Sequence, residues 1–192
     1  MTSSLRHLLV ITSATTALAA SGLLSGGCAS YANYPEIGED AAINDPNHPP
    51  IPELMAATLK YTVEKYPIGG DYVVNLPPGM QLRWAERVVK RIEDPAAHLV
   101  TPGTEALPAY HITEIWLRGD AATVEVIRPV RGLKPGAEGQ TGAYTYQSMR
   151  LKLRGTLGSD WRVIGTRAWT MGAAEPPRLY GWASETGASK GQ

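Results

Sequence analysis

Apolar residues recur every three to four positions between Pro52 and Ile92, and then alternate with polar ones from Tyr110 onward. The first period is helical and the second is that of half-buried strands. Met55, Leu59, Thr62 and Tyr66 mark one face of a helix that starts near Pro52 and stops at Pro67 and Gly69-Gly70. Pro52 and Glu53 suit its first turn, where proline forfeits no hydrogen bond and an acid meets the positive end of the dipole. Tyr72 to Leu76 is a short strand-forming run stopped by Pro77-Pro78-Gly79. Leu82, Ala85, Val88, Val89 and Ile92 line a second helix over 80–93, closed by Asp94-Pro95. Strands over 110–118 and 121–130 flank Gly119-Asp120, a favoured two-residue hairpin turn, and strands over 144–157 and 160–171 flank Gly158-Ser159. A Gly-rich connection, 131–143, joins the two hairpins.

Two amphipathic helices need a surface to bury against, and one face of a sheet supplies it. The pattern therefore predicts an α+β domain over 53–171: an antiparallel meander of four to five strands with both helices on one face. The order of elements resembles cystatin-like and nuclear transport factor 2-like folds. That resemblance implies a curved sheet wrapped around helices, with a pocket between them.

The hairpin turns fix a register. Closing on Gly119-Asp120 pairs Ile115 with Val124, Thr113 with Val126 and Leu117 with Ala122, an apolar face. The opposite face then sets Glu114 against Glu125 and Trp116 against Thr123. Closing on Gly158-Ser159 pairs Leu153 with Ile164 and Met149 with Ala168 on the apolar side. On its polar side Arg150 faces Arg167, with Lys152 and Arg154 alongside and Trp169 at the strand end. Directly opposed like charges are unfavourable unless something answers them. If the two hairpins are neighbours, the acids of one meet the bases of the other. That arrangement reads as a cross-strand salt-bridge ladder, as a surface for an ionic ligand or partner, or as a carboxylate dyad. The adjacent arginines hold both acids ionised and weigh against the dyad.

The N-terminus carries an address. A short stretch with Arg6 precedes an apolar run from Leu8 to Ala20, then Ser25-Gly26-Gly27 and Cys28. The apolar run is shorter than the ~20 residues a membrane-spanning helix needs, and it fits a signal peptide over 1–27. Leucine, small residues and then cysteine resemble the lipobox of bacterial lipoprotein precursors, although Leu24 stands four places before Cys28 where the family has it three before. The resemblance implies a diacylglycerol thioether on Cys28, removal of 1–27, and anchoring of the chain in a membrane on the periplasmic side or at the cell surface. Residues 28–52 are interrupted by prolines and lack a period, which predicts a flexible tether. Residues 172–192 read as a loose tail, with the stretch from Pro176 to Trp182 apolar enough to dock.

Composition narrows the function. Lys plus Arg and Asp plus Glu both number 18, so the balance lacks the basic excess of a nucleic-acid binder. One cysteine leaves no intrachain disulfide framework, and the four histidines have no ligand spacing, so neither a metal nor a cofactor is expected. H-E-x-x-H, P-loop and G-x-G-x-x-G patterns are absent. His98 and His111 read as structural or surface residues. Nine Tyr and five Trp against no Phe favour half-wet aromatic surfaces. The sequence thus predicts a membrane-tethered, non-catalytic binding or assembly module. Its candidate surface is Glu114, Trp116, Glu125, Arg150, Arg167 and Trp169, and its partner an envelope protein or small ligand. The competing expectation is a ligand-binding or catalytic pocket between sheet and helices.

Overall fold

The computed structural model describes residues 44–131, 144–156 and 159–182, and the backbone of 31–34. The elements run β1 (Tyr31–Tyr34), α1 (Ile51–Lys65), β2 (Tyr72–Asn75), α2 (Leu82–Ile92), β3 (Ala97–Leu99), β4 (Ala109–Arg118), β5 (Ala121–Arg131), β6 (Tyr144–Thr156) and β7 (Ser159–Ala168). The α+β class and both helices fall where the periods place them.

The sheet is mixed rather than an antiparallel meander. Its strands lie in the order β3-β2-β4-β5-β6-β7, and β1 pairs with β4 off that path. From β4 onward the pairing is the expected meander, but β2 runs parallel to both β3 and β4. The reason is α2. A helix between two strands carries the chain back to the end at which the first strand began, which makes the flanking strands parallel. β3 has only three residues, Ala97 to Leu99, too few to show a period. β1 falls inside the segment expected as a tether and pairs Tyr31 with Arg118 through Tyr34 with Ile115.

Both helices cover one face of the sheet. Leu54, Leu59, Ala85, Val88 and Ile92 meet Ile115, Leu117, Val124, Val126, Met149, Leu151 and Leu153 in one core. α1 is buried nearly all round, whereas α2 keeps Arg83, Arg87, Lys90 and Arg91 exposed. Arg87 stacks on Trp84 at 4.4 Å, and Arg91 reaches Glu53 at 3.4 Å.

Three shifts correct the expected register, one of them between Arg154 and Thr156, where Ser159 pairs with Thr156 as the first residue of β7 and not as part of a Gly158-Ser159 turn. Between Ile112 and Glu114 the ladder shifts, so Val126 pairs with Ile112 and not with Thr113. Between Lys152 and Leu153 it shifts again, so Leu153 pairs with Val163 and Ile164 is left outside the ladder. Ile164, expected in the core, is 62% exposed. An extra residue turns a side chain out of the alternation, and turn composition alone does not reveal it.

The C-terminal stretch is a strap across the other face of the sheet. Gly172 N–H donates to Tyr146 O beside β6, and Trp182 N–H donates to Val100 O at the far side. Between them Tyr180 N–H donates to Asn75 Oδ1 and Asn75 Nδ2 donates to Arg178 O. Leu179 packs on Val73, Val100 and Ala109, and Trp182 Nε1 donates to Met80 O. The docking of Pro176 to Trp182 is thus the part of the tail that the apolar residues foretold.

Candidate functional site

The face of the sheet away from the helices carries the charged row. Glu114 pairs with Glu125, Glu125 with Arg150, and Arg150 with Arg167, across β4, β5, β6 and β7. Adjacent strands stand ~4.8 Å apart, so the row spans roughly 14 Å. Glu125 and Arg150 stand an odd number of positions from core residues of their own strands, Val124 and Leu151, which puts them and their pairing partners on the outer face. Both like-charged pairs expected from the turns are present, and β5–β6 pairing joins them.

The acid–base contact in the row is Glu125 with Arg150, whose Nε donates to Glu125 Oε1 at 2.8 Å and whose Nη2 reaches the same oxygen. The two side chains are 21% and 45% exposed, so water screens much of their attraction. Trp169 follows the end of β7 and is fixed by its N–H to Ser148 O. The guanidinium carbons of Arg150 and Arg167 lie 5.5 and 5.4 Å from its ring centre. Trp169 is therefore flanked by two cations, each favoured over the face of the ring. Trp116 is 37% exposed in the neighbouring row, where it pairs with Thr123 and Thr123 with Lys152.

Where the strap leaves β7 it bounds a hollow of about 290 Å³ lined by Glu125, Ser148, Trp169, Thr170, Ala173 and Ala174. Glu125 and Trp169 are thus brought to one cavity, and Arg150 to its rim through Glu125. Glu114, Trp116 and Arg167 lie outside its lining, on the same face. Ser148 and Thr170 are hydroxyls that sequence reasoning passed over, since neither has a local activating neighbour. The strap that encloses them has no periodic signal.

Under the strap His111 is 1% exposed. Its Nδ1 lies 2.9 Å from Asn75 Nδ2, which fixes Nδ1 as the acceptor and places the proton on Nε2. Nε2 itself has no hydrogen-bond partner, and the Tyr146 ring stands 5.6 Å away edge-on. Burial without a counter-charge pushes the imidazole down to about 4. His111 is therefore a neutral part of the packing. His98 is half-exposed and lies 3.5 Å from Asp71.

No family model, curated protein or solved structure matches this chain. Its chemistry is read from the side chains alone. Among the described residues no group of three His, Cys, Asp or Glu is placed to hold a metal, and no helix is long and apolar enough to cross a membrane.

A larger cleft, about 790 Å³, lies on the helical side between α1 and the outer end of the β6–β7 hairpin. Tyr61, Trp161 and Val163 give it apolar surface, and Glu53, Lys60, Glu64, Arg91, Glu93, Asp160 and Arg162 charge it. Lys60 is paired with Glu93, which raises the lysine and lowers the glutamate. None of Glu114, Glu125, Arg150 or Arg167 reaches this cleft. Among the described residues, Val124, Val126, Met149 and Leu151 fill the layer between sheet and helices, and the four charged residues lie on the opposite face of the sheet.

Proposed function

We propose that this protein is a lipoprotein of the bacterial cell envelope, acylated at Cys28, whose domain serves as a non-catalytic binding or assembly module. Cys28 lies outside the described residues, and the anchor rests on the lipobox-like N-terminus. The module rests on one observation: charged and aromatic side chains are gathered on the face of the sheet that the helices leave uncovered. Glu125–Arg150, Trp169 between two arginines, and Trp116 make a polar aromatic surface of the kind enriched where proteins meet. The buried His111 beneath the strap is held neutral by its surroundings.

The test is crosslinking in intact cells followed by purification of this protein and mass spectrometry. A reproducible envelope partner whose capture falls with Trp116→Ala or Arg167→Ala, at unchanged melting temperature, supports the module. Capture that is indifferent to both substitutions removes this face from the reading.

A second reading uses the cleft beside α1, whose charged rim and Trp161 suit a small polar ligand. Lys60→Ala and Arg162→Ala would abolish ligand binding there and leave partner capture by the outer face intact.

A further inference from the structure

Arg128 is a largely buried cation that no carboxylate of the described residues answers. It lies on the core side of β5, opposite Gln147, and is 9% exposed. Its Nε donates to Gln147 Oε1 at 3.0 Å, and its guanidinium carbon stands 4.5 Å from the Tyr66 ring centre. The other end of Gln147 is tied down too, because Nε2 donates to Trp169 O. Tyr66 is held through its carbonyl, which accepts from Tyr110 Oη at 2.9 Å. No carboxylate among the described residues pairs with Arg128, and its two Nη groups make no hydrogen bond there.

A guanidinium does not shed its proton to escape burial. Its desolvation is ordinarily offset by a carboxylate, and among the described residues a neutral amide and a ring take that place. Those two contacts do something else: they fix the plane of the guanidinium and leave its Nη pair unused. A held planar fork is the geometry that grips two anionic oxygens at once.

A second buried group lies beside it. Thr145 is two residues from Gln147 on the same face of β6 and is the diagonal neighbour of Arg128 across the strand pair. It is 5% exposed, and its Oγ1 has no hydrogen-bond partner. Arg131, at the same end of β5, has its guanidinium on Gly69 O and adds a second positive charge nearby. Thr145 Oγ1 is buried without a partner and loses stability that an arriving acceptor would restore, while the Nη pair of Arg128, which makes no hydrogen bond among the described residues, is open to the same acceptor.

We propose that Arg128 and Thr145 form a binding site for the paired anionic oxygens of a small ligand, either a carboxylate or a phosphate. The site is at the end of the helix–sheet layer, distinct from both the outer face and the cleft beside α1. Arg128 grips the oxygens through its Nη pair, and Thr145 donates its hydroxyl to one of them.

The experiment titrates the full-length protein with inorganic phosphate and, separately, with sodium acetate, replacing chloride at constant ionic strength. Melting temperature and calorimetric heat are read. One of the two anions is expected to raise the melting temperature saturably, by about 5 °C, and the responding anion assigns the ligand as phosphate or carboxylate. Arg128→Met should melt above the wild type in chloride and lose the anion response. Arg128→Lys keeps the charge without the fork and should bind at least tenfold more weakly. Thr145→Val keeps the shape and should weaken binding about fivefold, so the inference stays testable if the methionine variant does not fold. No saturable response to either anion would overturn it. So would an unsaturating rise shared by wild type and Arg128→Met, which is the general exclusion of such salts from protein surfaces.

Discussion

His111 is neutral because everything around it is. Asn75 gives Nδ1 a donor, the strap closes over the ring, and no acid is near enough to hold a proton on it. In the unfolded chain a histidine titrates near 6.5, and in the fold it resists until about 4. Between those values the unfolded state binds more protons, so stability rises with pH through that window and is complete above it. Acidification from pH 6.5 to 4 should therefore cost about 3 kcal/mol. Denaturant unfolding across that range measures the slope, and His111→Gln should flatten it. The Glu125–Arg150 pair behaves differently, since water reaches both partners. Glu125→Gln should change stability by less than about 1 kcal/mol, which makes it a clean probe of binding. Glu114 and Glu125 were legible as a pair because the Gly119-Asp120 turn fixes the pairing on both sides of it, whereas Arg150 meets Arg167 only after two shifts of the β6–β7 ladder have offset a misplaced turn. His111 was not legible, because burial by a strap from about seventy positions downstream leaves no local trace.

Among the elements, those with a period showed their faces in the sequence, whereas β3 left no sign and the strap showed only as a stretch apolar enough to dock. α1, α2 and the long strands repeat their apolar residues often enough to show their faces, while β3 is three residues long and the strap has no repeat. The bulges sit between these cases: the strands were foreseen, but one inserted position moved Ile164 from core to solvent. Close packing gives a sharper test at the β6–β7 hairpin. A Cβ on Gly155 would stand 2.8 Å from Trp161 Cδ2 and 3.0 Å from Trp161 Cα. Gly155→Ala should destabilise the protein by roughly 1–3 kcal/mol through forced repacking, read as a fall in the denaturation midpoint with an unchanged slope. The strap is testable as a unit. Truncation after Gly172 removes the partners of Asn75, Val100 and Met80. Amide exchange at β2 and β4 should accelerate in the truncated chain, while β6 should be little affected.

At the scale of the molecule, the sheet divides two kinds of surface. The helical side holds the apolar core and the cleft beside α1, and the outer side presents the charged row and the strap. The proposed anchor makes its own prediction: Cys28→Ala should move the protein from the membrane fraction to the soluble one and prevent the mass gain of acylation. Retention in the membrane at unchanged mass would reject it.

The two rims of the sheet carry one more consequence. Past β3, Val100 gives its carbonyl to Trp182, and the half of β4 that β2 does not reach is occupied by β1. β7 forms the other rim, where a bulge breaks the line and Asp160, Arg162 and Arg167 stand exposed. Irregular, charged or occupied edges are poor templates for a further strand. Copies of this protein at high local density would therefore resist zippering edge to edge into fibres.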